Sequence, residues 1–151
     1  MEIFIVVLFG WLSSLVMSYY LKLLRGASAP WAQDVYAIGS VVPKSAFGGG
    51  MPGVMVYLIA GALGAWAYYR LGSEASYTVG SLLGFGLAAG LIRGVVCSLL
   101  LTLLAADQGP FQRFFRAGPL PALAHLSGNL LFGISLSLLL GLTGAVNSLA
   151  F

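Results

Sequence analysis

The sequence predicts an all-α integral membrane protein: a bundle of four transmembrane helices with short interfacial helices in its two long connections. Of 151 residues, 60% are hydrophobic, whereas only 7 are Lys or Arg and 4 are Asp or Glu. The mean hydropathy is +0.99. The apolar residues run in continuous segments and do not alternate as in barrel strands. A soluble domain carries about 25% charged residues and a disordered chain is poor in apolar ones, so both classes are excluded.

Four apolar segments are long enough to cross a hydrocarbon core of about 30 Å, which needs about 20 helical residues. We predict spans over residues 3–24, 53–71, 77–106 and 120–142 of a single domain. At a rise of about 1.5 Å per residue the third segment is about 45 Å long, so it must tilt or protrude. The first apolar run follows no basic region, and we expect it to be an uncleaved membrane helix.

The basic residues predict the orientation of the spans. They concentrate in the two long connections, whereas the short connection has one arginine balanced by an acid. By the positive-inside rule, the long connections face the cytoplasm and both termini face the other side. We interpret these scattered charges as topology signals and expect no nucleic-acid binding. The residues concerned are Lys22, Arg25, Lys44, Arg113 and Arg116 on the cytoplasmic side, and Arg70 and Glu74 opposite.

Each long connection contains an amphipathic pattern that is typical of a helix lying on the membrane surface. In the first, apolar residues recur at helical spacing around Asp34, and Trp31 and Tyr36 are expected at headgroup level. In the second, Arg113 and Arg116 alternate with aromatic residues. We expect the aromatic rings to insert and the guanidinium groups to contact lipid phosphates.

The chain contains 21 glycines, and their spacing predicts close helix packing. Small residues four apart let helix backbones approach in lipid. The third span has two such sets on two sides of the helix, so we expect it at the centre of a compact bundle. The alternative interpretation of these glycines is that they line a pore or a substrate path. The sets are Gly80 and Gly84, then Gly86, Gly90 and Gly94; the fourth span adds Asn129, Gly133, Ser137 and Gly141, the first has Gly10, Ser14 and Ser18, and the second has Tyr57, Gly61, Gly64 and Tyr68 on one face.

Arg93 is the one charged residue near the middle of a predicted span. A charge there costs at least about 2.5 kcal/mol, and about 20 Å of helix separates it from either end. It shares a stripe with Gly90 and Cys97, so we expect it to point into a protein contact. Its partner stays open between Asp34, Asp107, Asn129, backbone carbonyls, and a group on another protein or lipid. Its role is equally open between structure, docking and a transport path.

His125 lies one turn inside the cytoplasmic end of the fourth span, with Asn129 one turn further along the same face. Haem ligation through His125 needs a second axial ligand from another chain. We favour a hydrogen-bonded interfacial histidine, with proton handling as a further alternative. The sequence has no carboxylate pair, no Ser-His-Asp set, no metal-ligand cluster and no nucleotide-binding motif. We therefore predict no enzyme activity, no cofactor and no metal site.

Three short patterns bear on the kind of protein. The first helix ends in Val16-Met17-Ser18, the first connection contains Asp34-Val35-Tyr36-Ala37-Ile38, and the later helices open with a His-x-x-x-Gly-like pattern. In that pattern Tyr57 stands at the histidine position and Asn129 at the glycine position. Together these features resemble small four-span bacterial inner-membrane proteins of unknown function. The resemblance implies a four-span fold in the bacterial inner membrane and no known activity.

From these observations we expect a non-catalytic integral membrane protein that acts by helix packing and lipid contact. Its partners are the lipid bilayer and other integral subunits of a larger membrane complex, such as an electron-transfer or energy-conversion complex. The alternative is a small homo-oligomeric transporter or channel with an anion or proton path near Arg93 and His125. A haem-carrying membrane anchor held by His125 is a third hypothesis.

Overall fold

A computed structural model of the chain describes residues 2–26, 50–72, 78–107 and 120–142. These ranges form four α-helices and contain no strand, which confirms the predicted all-α class. Each helix has a stretch long and apolar enough to cross a membrane. The predicted interfacial helices, with Trp31, Asp34, Tyr36, Arg113 and Arg116, lie outside the described residues. The helices are α1 (Glu2–Gly26), α2 (Gly50–Gly72), α3 (Val79–Asp107) and α4 (Leu120–Leu142).

The start of α3 is fixed by a reciprocal cap. The hydroxyl of Thr78 accepts a hydrogen bond from the backbone N–H of Ser81 at 3.2 Å, and the hydroxyl of Ser81 accepts one from the N–H of Thr78 at 2.8 Å. Both N–H groups lack partners within the helix, so the two side chains satisfy backbone donors that would otherwise be unpaired. This local chemistry caps the N-terminus of α3 at Thr78.

The central helix of the bundle is α4, and the expectation that the third span is central is wrong. In α4, 50% of the residues of the apolar span are buried, against 22% in α3. The helix packs against both α1 and α3, while α1 also packs against α2. The reason is that, within the described residues, only the set Gly86, Gly90 and Gly94 of α3 contacts another helix. The core is formed by Leu136 and Leu140 of α4 with Val6 of α1 and Ala65 of α2.

Hydroxyl groups link the helices near both ends of the bundle. At one end, the Tyr68 hydroxyl of α2 forms a hydrogen bond with Ser137 of α4 and donates to the carbonyl of Leu82 in α3 at 3.3 Å. At the other end, Tyr20 of α1 donates to Ser127 of α4 at 3.1 Å. These bonds join α1 to α4 and α2 to both α3 and α4, and they help to fix the register of the bundle.

Candidate functional site: Arg93 and the glycine faces of α3

Arg93 projects from the middle of α3 into the space between α2 and α4. Its guanidinium carbon lies 3.8 Å from the centroid of the Phe132 ring of α4, which is a cation–π contact. On the other side, a Cβ added to Gly64 of α2 would lie 3.6 Å from Nε and Cζ of Arg93. This is ordinary van der Waals distance, so α2 at Gly64 lies directly beside the guanidinium. The predicted protein contact of Arg93 is present in the structure, and its partner is an aromatic ring.

The charge of Arg93 has no acidic partner among the side chains that the structure describes. Its Nη1 atom is buried and makes no hydrogen bond within the described residues, and the same holds for Oδ1 of Asn129. Arg93 and Asn129 are thus not joined, although both were candidates for one polar cluster. Tyr57 of α2 and Cys97 of α3 are close enough to interact with the guanidinium electrostatically. Asp34 and the side chain of Asp107 lie outside what the structure describes.

His125 and Asn129 are both buried on α4, with 5% and 0% of their surfaces exposed. The Asn129 amide donates to the backbone carbonyl of His125 at 2.8 Å, one turn earlier in the same helix. This bond satisfies the amide nitrogen locally and connects no second helix. No group of three or more His, Cys, Asp or Glu side chains that could hold a metal ion occurs in the described ranges.

The three glycines Gly86, Gly90 and Gly94 form the packed glycine face of α3, which contacts the backbone of α4. A Cβ added to Gly90 would lie 2.5 Å from the carbonyl oxygen of Asn129, and one added to Gly94 would lie 2.9 Å from Leu126. In the same interface, a Cβ added to Gly86 would lie 2.6 Å from the carbonyl oxygen of Gly133, and one added to Gly133 would overlap the carbonyl oxygen of Gly86. Gly141 extends the contact, because an added Cβ would lie 2.5 Å from Leu82. Side chains at Gly86, Gly90 and Gly133 would meet backbone atoms and hold the two helices apart, whereas at Gly141 only the end of the Leu82 side chain would have to move.

A second glycine contact joins α1 to α2. A Cβ added to Gly10 would lie 2.5 Å from the carbonyl oxygen of Gly61, and a Cβ on Gly61 would overlap the hydroxyl of Ser14. Ser13 and Ser14 are buried, and neither hydroxyl has a hydrogen-bond partner within the described part of the chain. Sequence reasoning included Ser14 in a small-residue ladder and missed Ser13. The signal that could have identified Ser13 is its position next to Ser14 in a helix that is otherwise continuously apolar.

Gly80 and Gly84 differ from every other glycine of α3. A Cβ added to either would meet no described atom within 4 Å, and both residues are exposed. Ala88, four residues further along, is exposed as well. We call Gly80, Gly84 and Ala88 the open glycine face. It has the spacing of a helix-packing face and contacts no described helix of the bundle.

Comparisons place no known protein beside this architecture. No family model, no curated protein and no solved structure matches the chain. The resemblance to small four-span bacterial proteins therefore stays a prediction.

Proposed function

We propose that the protein is a non-catalytic integral membrane subunit that acts by helix packing in a larger membrane complex, such as an electron-transfer or energy-conversion complex of a bacterial inner membrane. The observation that carries this proposal is the open glycine face of α3. Gly80 and Gly84 have no described atom within 4 Å of an added Cβ, although their spacing suits contact with another helix.

The packed glycine face indicates what such spacing does in this chain. At Gly86 and Gly90, missing side chains allow the backbone of α4 to approach α3 directly. Lipid tails gain little from a glycine groove, because their flexible chains fill a groove less well than a fixed helix does. The open face offers the same surface to a helix from outside the bundle.

The dimensions of the open glycine face suit one crossing helix. From Gly80 to Ala88 the face extends for about 12 Å, or a little more than two helical turns. The exposed Leu87 and Leu91, four residues apart, form a ridge along one side of it. An incoming helix that packs against this ridge would bury the two leucine side chains together with the glycines.

The test is extraction of a tagged chain from its native membrane in mild detergent, followed by size and mass analysis. We expect a different polypeptide to co-migrate with the wild type. Gly84→Leu fills the open face without touching the bundle, so it should abolish co-migration while the protein stays folded. Ala60→Leu is the matched control, because it adds similar bulk to an exposed position of α2. An unchanged complex in Gly84→Leu, or no foreign subunit at all, contradicts the proposal.

The second candidate function is a small homo-oligomeric transporter or channel. One observation favours it: buried polar atoms without hydrogen-bond partners in the described residues occur on three helices, at Ser13, Ser14, Arg93 and Asn129. Such groups often line a polar path in membrane proteins. Purified protein in liposomes would then carry an anion or proton flux that Arg93→Gln abolishes. Tight liposomes with the wild-type protein contradict this candidate.

A further inference from the structure

We propose that Arg93 is a docking site for a carboxylate presented at mid-membrane by a transmembrane helix of a different polypeptide. This inference rests on the proposed packing function and names the chemistry of the partner. It starts from a partly exposed arginine whose charge has no acidic partner among the described side chains and whose Nη1 makes no hydrogen bond there.

The depth of the guanidinium restricts what can neutralise it. It contacts Phe132, at the middle of the span Ala122–Leu142, and lies beside Gly64, one residue from the middle of the span Val54–Gly72. Along α3, about 21 Å of helix separates Arg93 from either end. The guanidinium therefore lies near the midplane of a bilayer, and its side chain is too short to reach either surface.

The ring of Phe132 stabilises the cation but does not neutralise it. A cation–π contact uses one face of the planar guanidinium and leaves its edge, with five N–H donors, for other groups. A carboxylate matches that edge, because its two oxygens accept two parallel hydrogen bonds. Arg93 is partly exposed, and Val96 and Leu100 beside it on α3 are exposed. An approaching helix on this side of α3 can reach the exposed part of the Arg93 side chain, whereas Nη1 is enclosed by the bundle.

The carboxylate cannot come from a second copy of this chain. Its four acids are Glu2, Asp34, Glu74 and Asp107, and each lies at a helix end or in a connection. None can reach the midplane of a bundle with the same topology. A lipid phosphate lies about 15 Å from the midplane, at the surface of the hydrocarbon core. A transmembrane helix with an internal Asp or Glu carries its carboxylate to the required depth.

The test uses a synthetic probe, a Leu/Ala transmembrane peptide flanked by lysines, with a single Glu at its centre. The matched control peptide has Gln at that position. Purified full-length protein and fluorescent peptide are reconstituted into zwitterionic bilayers above neutral pH, and energy transfer measures association. We expect the Glu peptide to bind about tenfold more tightly than the Gln peptide. Arg93→Gln should remove this preference, and Arg93→Lys should retain part of it because the charge remains.

Three results would overturn the inference. Equal binding of the Glu and Gln peptides to the wild-type protein excludes a carboxylate site, and this comparison needs no variant. A Glu preference that persists in Arg93→Gln assigns the site to another residue. Loss of the Glu preference when phosphatidylglycerol is added shows that a lipid phosphate occupies Arg93. The peptide experiment needs no native partner. Its outcome is therefore independent of the co-migration experiment that tests the proposed function.

Discussion

The same substitution at two glycines of α3 should have opposite effects on stability. In Gly90→Ala, the new Cβ would lie 2.5 Å from the carbonyl oxygen of Asn129 and 3.1 Å from Cα of Leu130. Both are backbone atoms, so no side-chain rotation relieves the overlap. Restoring normal contact moves α3 and α4 apart by about 1 Å, which weakens the dispersion contacts along the interface. Overpacking of this kind costs about 1–3 kcal/mol.

Gly84→Ala is the matched control on the same helix. Its Cβ would meet no described atom within 4 Å, and Ala in a helix is favoured over Gly by about 0.5–1 kcal/mol. We therefore expect Gly90→Ala to be less stable than Gly84→Ala by about 2 kcal/mol, a thirtyfold change in the unfolding equilibrium. Reversible unfolding in mixed micelles with sodium dodecyl sulfate, followed by circular dichroism, measures this difference. Equal stability of the two variants would refute backbone contact between α3 and α4.

Three further predictions test two other contacts and the orientation of the chain in the membrane. Tyr68→Phe removes the hydroxyl that links α2 to α3 and α4, and should lower the free energy of unfolding by about 1 kcal/mol; unchanged stability would show that this bond is not formed. Gly61→Ala should destabilise the protein because its Cβ would overlap Ser14, and adding Ser14→Ala should recover part of the loss in a double-mutant cycle; additive effects would contradict this contact. In a cysteine-free background, an impermeant maleimide outside intact cells should label Ser73→Cys and not Ser45→Cys; the reverse pattern contradicts the orientation.

The sequence was sufficient to predict the helices of the described fold, because continuous apolar runs in a bilayer have few alternatives to a helix. It also predicted that glycines of α3 occupy two sides. It could not predict which side is in contact, because Gly84 and Gly90 look alike until a neighbouring helix is placed. Because Gly80 and Gly84 contact no described helix, α3 is not the centre of the bundle although it has more glycines than α4.

The environment of Arg93 was predictable only in part. Its stripe with Gly90 indicated a protein contact, and the structure has one. Phe132 was not identified as the contacting group, because an aromatic residue in an apolar span resembles any other core residue. The hydrogen bond between Asn129 and His125 follows from their spacing of four on one helix. The lack of a described hydrogen-bond partner for Nη1 of Arg93 was not predictable, because it depends on which side chains of other helices surround the guanidinium.

Site-specific photocrosslinking from the open glycine face in native membranes tests most directly whether a helix of another polypeptide packs there. A photoreactive amino acid replaces Ala88, which is exposed and borders Gly84. The proposed packing function predicts one discrete product, in which the chain is joined to a different integral membrane polypeptide. A product that joins two copies of this chain, or adducts with lipid alone, would contradict it.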